Sequence, residues 1–170
     1  MKTLTPVQQK FILHWGKMGT QWGINRTVAQ IHALLYLSPQ PLDAETIAVT
    51  LSVARSNVST SLWELQGWGI IRTVQVLGDR RDHYESVQDV WELFRIVLDE
   101  RKKREIDPTL ALLRECVTEA KGEDKVTRDR LTGLLDFFES MTAWYEQVRR
   151  LPVQAVRKFV RLGDKLFKTL

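Results

Sequence analysis

The chain has 170 residues and a formal net charge of +4; 44% of its residues are hydrophobic and 27% charged. That balance excludes a disordered chain and allows a real core without disulfides. A single cysteine, Cys116, excludes an internal disulfide and a paired-cysteine metal site, and no apolar run approaches the roughly 20 residues that span a bilayer. The N-terminal stretch MKTLTPVQQKF lacks the apolar centre of a signal peptide. A reducing, cytoplasmic location and no membrane partner are therefore expected. The charge is evenly spread: 8 basic and 6 acidic residues up to Ser86, then 17 and 15 after it. Any case for a polyanionic partner must rest on placement of charge, not on its total.

Thr5, Pro6 and Gln8 mark a helix start, with a hydroxyl cap, a proline at the first position and a glutamine at the capping-box position. Phe11, Ile12, Trp15 and Met18 continue it at helical period, and Gly19 and Gly23 are expected to bracket a turn. Asn25 caps a second helix with Val28, Ile31, Leu34 and Leu35 inward, ending before Ser38-Pro39. After the stiff 39–42 connection, Asp43 caps a third helix running to about Leu51. Ser52, Val53 and Ala54 form a short turn. A fourth helix starts near Arg55, carries Val58, Leu62 and Leu65 inward, and stops at Gly67 and Gly69.

From Ile70 the period changes to two, which predicts a strand. Gly78-Asp79-Arg80-Arg81 reads as a turn, and Asp82 to Val87 as the returning strand of a β-hairpin. Helices follow. Asp89 caps one with Val90, Leu93, Phe94 and Val97 on one side, and Asp107-Pro108 is expected to start another, broken at Gly122. From Asp124 to Arg150, Leu131, Leu134, Phe138, Met141, Tyr145 and Val148 follow heptad spacing. Pro152 separates a last amphipathic helix built on Val156, Phe159, Val160 and Phe167. The expected fold class is mainly α with a small β-hairpin wing. Residues 1–88 would form a winged helix-turn-helix and residues 89–170 a helical dimerisation region, with the first helix also available to the dimer interface.

Helix, turn, helix and charged hairpin, in that order, predict a winged helix-turn-helix. The fourth helix would enter a major groove and present Arg55, Ser56, Asn57, Ser59 and Thr60. Arginine can pair with guanine, asparagine with adenine, and hydroxyls suit phosphates or bases. Trp63 shares the outer face about two turns on, placed to pack on a sugar or a thymine methyl. Taken alone, Ser56, Asn57 and Ser59 read more simply as the residues of a solvated helix start. The wing shifts that balance, because Asp79-Arg80-Arg81 sets two guanidinium groups where they would straddle the backbone beside the helix.

Residues 24–86 resemble the MarR superfamily, specifically its GbsR-type branch. The matching segments are 24–37, 54–65 and 78–85, the last similar to the family's D-x-R wing motif. The resemblance implies that Arg81 enters the minor groove, that Asp79 orients it and that Arg80 touches phosphate. It also implies a homodimeric transcriptional regulator, a repressor, on a pseudo-palindromic site in double-stranded DNA. The chain departs from the family at Ala29-Gln30, where a Gly-Arg pair is common, which weakens a phosphate contact there. A winged-helix protein–protein adaptor that never touches DNA is the alternative, and Trp63 leaves it open. The heptad seam would pack on a second copy or on the chain's own helices.

Relatives in this branch include choline-responsive repressors, and aromatic rings hold quaternary ammonium groups by cation–π attraction. Of six tryptophans, Trp15, Trp22 and Trp91 are the candidates for such an effector site, with core packing the simpler reading. Cys116 lies among Leu112, Leu113 and Val117, so a buried, inert thiol is expected over a redox sensor. His14, His32 and His83 lack metal spacing, and no P-loop, G-x-S-x-G or G-x-G-x-x-G run occurs. No enzyme, catalytic residue, metal or cofactor is expected.

Overall fold

The computed structural model describes residues 4–167, which divide into two compact units, one up to Ile96 and one from Val97. The first unit holds α1 (Pro6–Gln21), α2 (Arg26–Leu37), β1 (Leu42–Asp43), α3 (Ala44–Leu51), α4 (Arg55–Gly67), β2 (Ile71–Val74) and β3 (His83–Ser86). It is a winged helix: three helices over a three-stranded antiparallel sheet of order β1-β3-β2, preceded by α1. Leu42 and Asp43 pair with Tyr84 and His83, and Ile71 to Val74 pair with Ser86 back to His83. The two-residue strand β1 has no sequence signal, because pairing across some forty residues is a tertiary event.

Local chemistry sets the helix starts. The Thr5 hydroxyl accepts from the Gln8 amide and the Gln8 side chain accepts from the Thr5 amide, completing the capping box. Asn25 accepts from Thr27 and starts α2; Asp43 accepts from Glu45 and Thr46 and starts α3. Ile31, Leu35, Ile47, Val58, Leu62 and Leu65 are buried together as the centre of the core. Each comes from the apolar stripe of its helix, so one face of α2, α3 and α4 is removed from water.

Two expectations about the first unit change. Gly19 does not open a turn: α1 continues to Gln21, and a side chain on Gly19 would meet the Cβ of Ala29 at 2.5 Å. The glycine is there for close approach of α1 to α2. Gly16 likewise faces the side chain of Gln30. Ala29 is buried and Gln30 half-buried, so the pair that departs from the MarR pattern is used in helix packing. The turn itself is made by Gly23, at φ +73°.

The strands are also shorter than the alternation predicts. β2 ends at Val74 and β3 begins at His83. Side chains divert the backbone groups between them: the Arg81 amide donates to the Asp79 carboxylate, and the Arg81 carbonyl accepts from Nδ1 of His83, 3.0 Å away.

α5 (Val90–Arg101) is capped by Asp89, sets Leu93 and Ile96 against the first core, and runs into the second unit. That unit continues with a π-helical turn (Lys102–Ile106), α6 (Asp107–Glu119), a 3₁₀ turn (Ala120–Gly122), α7 (Lys125–Arg149) and α8 (Val153–Phe167). α6 starts at Asp107-Pro108, as the sequence predicts, but directly on the π turn. The backbone of Ile106 and Asp107 stays helical, and the wider π turn falls where a proline at 108 removes an amide and crowds the carbonyl before it. α7 runs antiparallel to the α5–α6 stretch, as its ion pairs record: Arg114 with Glu139, Lys102 with Glu146, and Asp99 with Arg149.

The side chains of Phe159 and Phe167, expected in the last amphipathic helix, lie outside the described residues. No described helix is long and apolar enough to cross a membrane.

Candidate nucleic-acid interface

α4 separates its faces cleanly. Val58, Ser61, Leu62 and Leu65 are buried, while Arg55, Ser56, Asn57, Ser59, Thr60 and Trp63 are all exposed. Arg55 donates to the Ser59 hydroxyl at 2.6 Å and lies 3.9 Å from Glu45, which aligns it across the outer face of α3 and α4. The Thr60 hydroxyl donates to the Ser56 carbonyl, so it is partly engaged with its own helix. Trp63 is 78% exposed and is the one large apolar side chain that α4 leaves in solvent.

The start of α4 differs from its neighbours. α1, α2, α3 and α7 each receive a side-chain cap, from Thr5, Asn25, Asp43 and Asp124. The capping position of α4 is Ala54, which makes no side-chain cap hydrogen bond. Its first amides point outward with the positive end of the helix dipole, an arrangement that suits a phosphate.

The wing is joined to the helices by a compact charge cluster. Arg81 donates from Nε to Asp79 Oδ1 at 3.0 Å and from its terminal nitrogen to the other oxygen. Its Nη1 also lies 3.1 Å from Asp43 Oδ1. Asp43 is the cap of α3 and receives the Thr46 hydroxyl at 2.6 Å. One carboxylate thus ends a strand, begins a helix and anchors a wing arginine. His83, buried beneath, approaches Asp79 at 3.6 Å. A second cross-link comes from Gln66 at the end of α4, which donates to Thr73 on β2 at 2.8 Å.

The electrostatics follow from this geometry. Hydrogen bonds from the Arg81 side chain and amide hold the Asp79 carboxyl far below the usual carboxylate range. Burial raises the Asp43 carboxyl, but the Thr46 hydroxyl and amide, Arg81 and the Glu45 amide outweigh it, leaving it below the ordinary value. Asp79 and Asp43 together hold Arg81 above its own. Arg80 is exposed and pairs with no acidic side chain among the described residues. The two arginines therefore differ: Arg81 is oriented by two carboxylates and Arg80, among the described residues, is not.

The structure brings Arg55, Ser56, Asn57, Ser59, Thr60, Trp63, Asp79, Arg80 and Arg81 into one unit, all exposed but the half-buried Asp79. Asp43 is the member of the cluster that sequence reasoning used only as a helix cap. A carboxylate facing a wing forty residues later leaves no local signal.

The other expected sites are placed as follows. Trp15 stacks on Phe11 at 5.3 Å between ring centres and Trp22 follows the end of α1; the two tryptophans are 37% and 49% exposed. Trp91 is half-buried in the first turn of α5. Cys116 is half-buried, not buried, because α6 turns only one face to α7.

The heptad seam divides. Leu131, Phe138, Tyr145 and Val148 are half-buried within the unit, while Leu134 and Met141 are exposed. Among the exposed apolar side chains of this unit, Leu134, Phe137, Met141, Trp144 and Leu151 form a second seam at heptad spacing, offset from the first.

Sheet order, the helix-turn-helix and the wing define a winged helix-turn-helix domain with a helical C-terminal region. A solved structure described as that of a transcriptional regulator is similar over 85% of this chain and 96% of that one, at 19% identity and a TM-score of 0.66. The S. aureus MepR–DNA complex aligns over 96% of this chain and 93% of that one, at 15% identity and a TM-score of 0.38. BldR from Sulfolobus solfataricus aligns over 79% and 88%, at 18% identity and a TM-score of 0.39. No family model and no curated protein matches the chain.

Proposed function

We propose that the protein is a sequence-specific regulator of transcription that binds double-stranded DNA, a MarR-superfamily repressor of the GbsR type working in the cytoplasm. The observation that carries this reading is Arg81, clamped by Asp79 and by Asp43 at the start of α3, in the unit that also exposes the polar face of α4. Arg55 and Asn57 are the readers of base edges in a major groove, Ser56, Ser59 and Thr60 add hydroxyl contacts, and Trp63 packs on sugar or a thymine methyl. Arg81 enters the adjoining minor groove and Arg80 neutralises phosphate.

Homodimerisation fits the exposed seam of α7, which is apolar enough to need a cover. Two copies would present two α4 helices to major grooves about 34–36 Å apart on a pseudo-palindromic site. Sedimentation equilibrium tests this: a dimer that Trp144→Asp turns into monomer is expected. A wild-type monomer at tens of micromolar would remove the dimer from the reading.

The test of DNA binding is a gel shift on the region upstream of the protein's own gene. Binding that falls steeply with salt and is lost in a folded Arg81→Ala variant is expected. Unchanged binding by that variant would rule out the wing assignment. An adaptor that never touches DNA would need an apolar outer face on α4, and Trp63 alone does not make one. The effector reading at Trp15, Trp22 and Trp91 is tested by titrating choline against tryptophan fluorescence, with a saturable change expected.

A further inference from the structure

The root of the wing carries a second clamp on Arg81, made through its backbone. β2 ends at Val74 and β3 begins at His83, so residues 75–82 lie beyond the strand ladder. Side chains hold this stretch instead: Gln75 donates to Asp82 at 2.9 Å, and Asp79 accepts from the Arg81 amide at 3.0 Å. The carbonyl of Arg81 lies 3.0 Å from Nδ1 of His83. A carbonyl only accepts, so Nδ1 carries the proton and the ring donates. Nε2 of the same ring lies 3.6 Å from Asp79 Oδ2, beyond hydrogen-bond range. His83 therefore grips the wing through Arg81 and does not compete with it for Asp79.

The sheet gives His83 a rigid base. It is the Cα partner of Asp43 on β1 and of Val74 on β2, so both ladders hold its backbone. Directly opposed residues of an antiparallel pair raise their side chains from one face. Asp43 and His83 therefore stand next to each other, and both are buried. Arg81 meets this pair at its two ends: Asp43 faces Nη1 at 3.1 Å, and His83 donates to the carbonyl. A guanidinium is placed only as well as the backbone that bears it. Without the imidazole donor, the two carboxylates would hold the far end of a side chain whose near end had lost its anchor.

We propose that His83 is a positioning residue for DNA recognition: it fixes the backbone of Arg81, and with it the line along which the guanidinium reaches the groove. The proposal rests on the DNA-binding reading and adds to it a buried residue that acts through Arg81 and not by its own contact.

Two variants of the full chain separate positioning from packing. His83→Asn keeps a donor where Nδ1 stood but loses volume, while His83→Leu keeps volume and has no donor. A packing role ranks Leu above Asn in stability and recognition alike; a positioning role reverses the order in recognition. His83→Leu is expected to lower the preference for the cognate site over unrelated DNA about tenfold, as one lost hydrogen bond implies. The salt slope should not change. His83→Asn should keep most of the preference even with a lower thermal midpoint. In an Arg81→Ala background His83→Leu should cost no further preference, because its effect runs through Arg81. NMR on the DNA-free chain supplies a second readout. The Arg81 Nε–H, bonded to Asp79 at 3.0 Å, should exchange with water about tenfold faster in His83→Leu and near the wild-type rate in His83→Asn. His83→Phe, which keeps a ring without the donor, should match His83→Leu in every measurement and replaces it if that variant does not fold. Three results would overturn the positioning role alone: wild-type preference and exchange in the donorless variants, a ranking of Leu above Asn in recognition, or an undiminished effect in the Arg81→Ala background. A wild-type chain that binds no DNA would overturn the regulator reading and this proposal with it.

Discussion

Asp43 and Arg81 meet at 3.1 Å across the junction of the helix-turn-helix and the wing. The carboxylate is nearly buried and the guanidinium largely exposed, so the buried partner fixes the mobile one. Asp43 also caps α3 through two amides. Asparagine preserves that capping but not the charge. Asp43→Asn is therefore expected to change stability by less than about 1 kcal/mol, while lowering the preference for the cognate site over unrelated DNA about tenfold. Asp43→Ala, which also loses the cap, should cost about 1–2 kcal/mol in urea unfolding. An Asn variant with wild-type discrimination would reduce Asp43 to a helix cap.

The two wing arginines should respond differently to removal. Arg80→Ala is expected to weaken binding to all sequences and to lower the slope of log affinity against log salt by about one. Arg81→Ala should lose far more affinity for the cognate site. Asn57→Ala is expected to relax preference at one base-pair position by about 1–3 kcal/mol. Fluorescence anisotropy across a salt series, with a panel of single-base variants, distinguishes the three.

Gly19 offers a packing test. Gly19→Ala gains helix propensity worth about 1 kcal/mol, but its new Cβ would stand 2.5 Å from that of Ala29. Overpacking at a buried backbone-to-backbone approach costs about 1–3 kcal/mol, so net destabilisation is expected. Ala29→Gly in the same chain should recover part of it. Gly16→Ala should be better tolerated, because the atom it meets belongs to the flexible Gln30 side chain.

His32 gives the pH dependence. It is buried in α2 with Nε2 3.2 Å from the Ser86 hydroxyl. Burial pushes its pKa down to about 4 from an ordinary 6.5. The unfolded chain therefore binds more protons between those values, and folding stability rises with pH across that window. On acidification, stability present above pH 6.5 is expected to fall as pH drops towards 4, by up to about 3 kcal/mol. The lowered carboxyls of Asp43 and Asp79 add losses of the same sign, but below their unfolded value near 3.8. His32→Gln should flatten the slope between pH 6.5 and 5 in thermal melts. An unchanged slope would place the titration elsewhere.

The sequence alone determined what short-range chemistry decides. Thr5, Asn25, Asp43 and Asp89 cap the helices they were expected to cap. Val58, Leu62 and Leu65 are buried, and the residues between them on the outer face of α4 stay in solvent. These outcomes depend on neighbours three or four residues apart, so they are written in spacing. Tertiary structure decided the rest. Gly19 reads as a turn until α2 packs on it, and Leu42-Asp43 as a loop until β3 pairs with it. Asp107-Pro108 reads as a helix start and is one, but that a π turn over 102–106 leads into it without a break is decided by the fold. The α7 seam depends on which of two overlapping heptad stripes the α5–α6 stretch covers, and spacing alone cannot choose between them. The meeting of Asp43 with Arg81 belongs to the same group: both residues are polar and unremarkable in their own segments, and only the sheet brings their charges together.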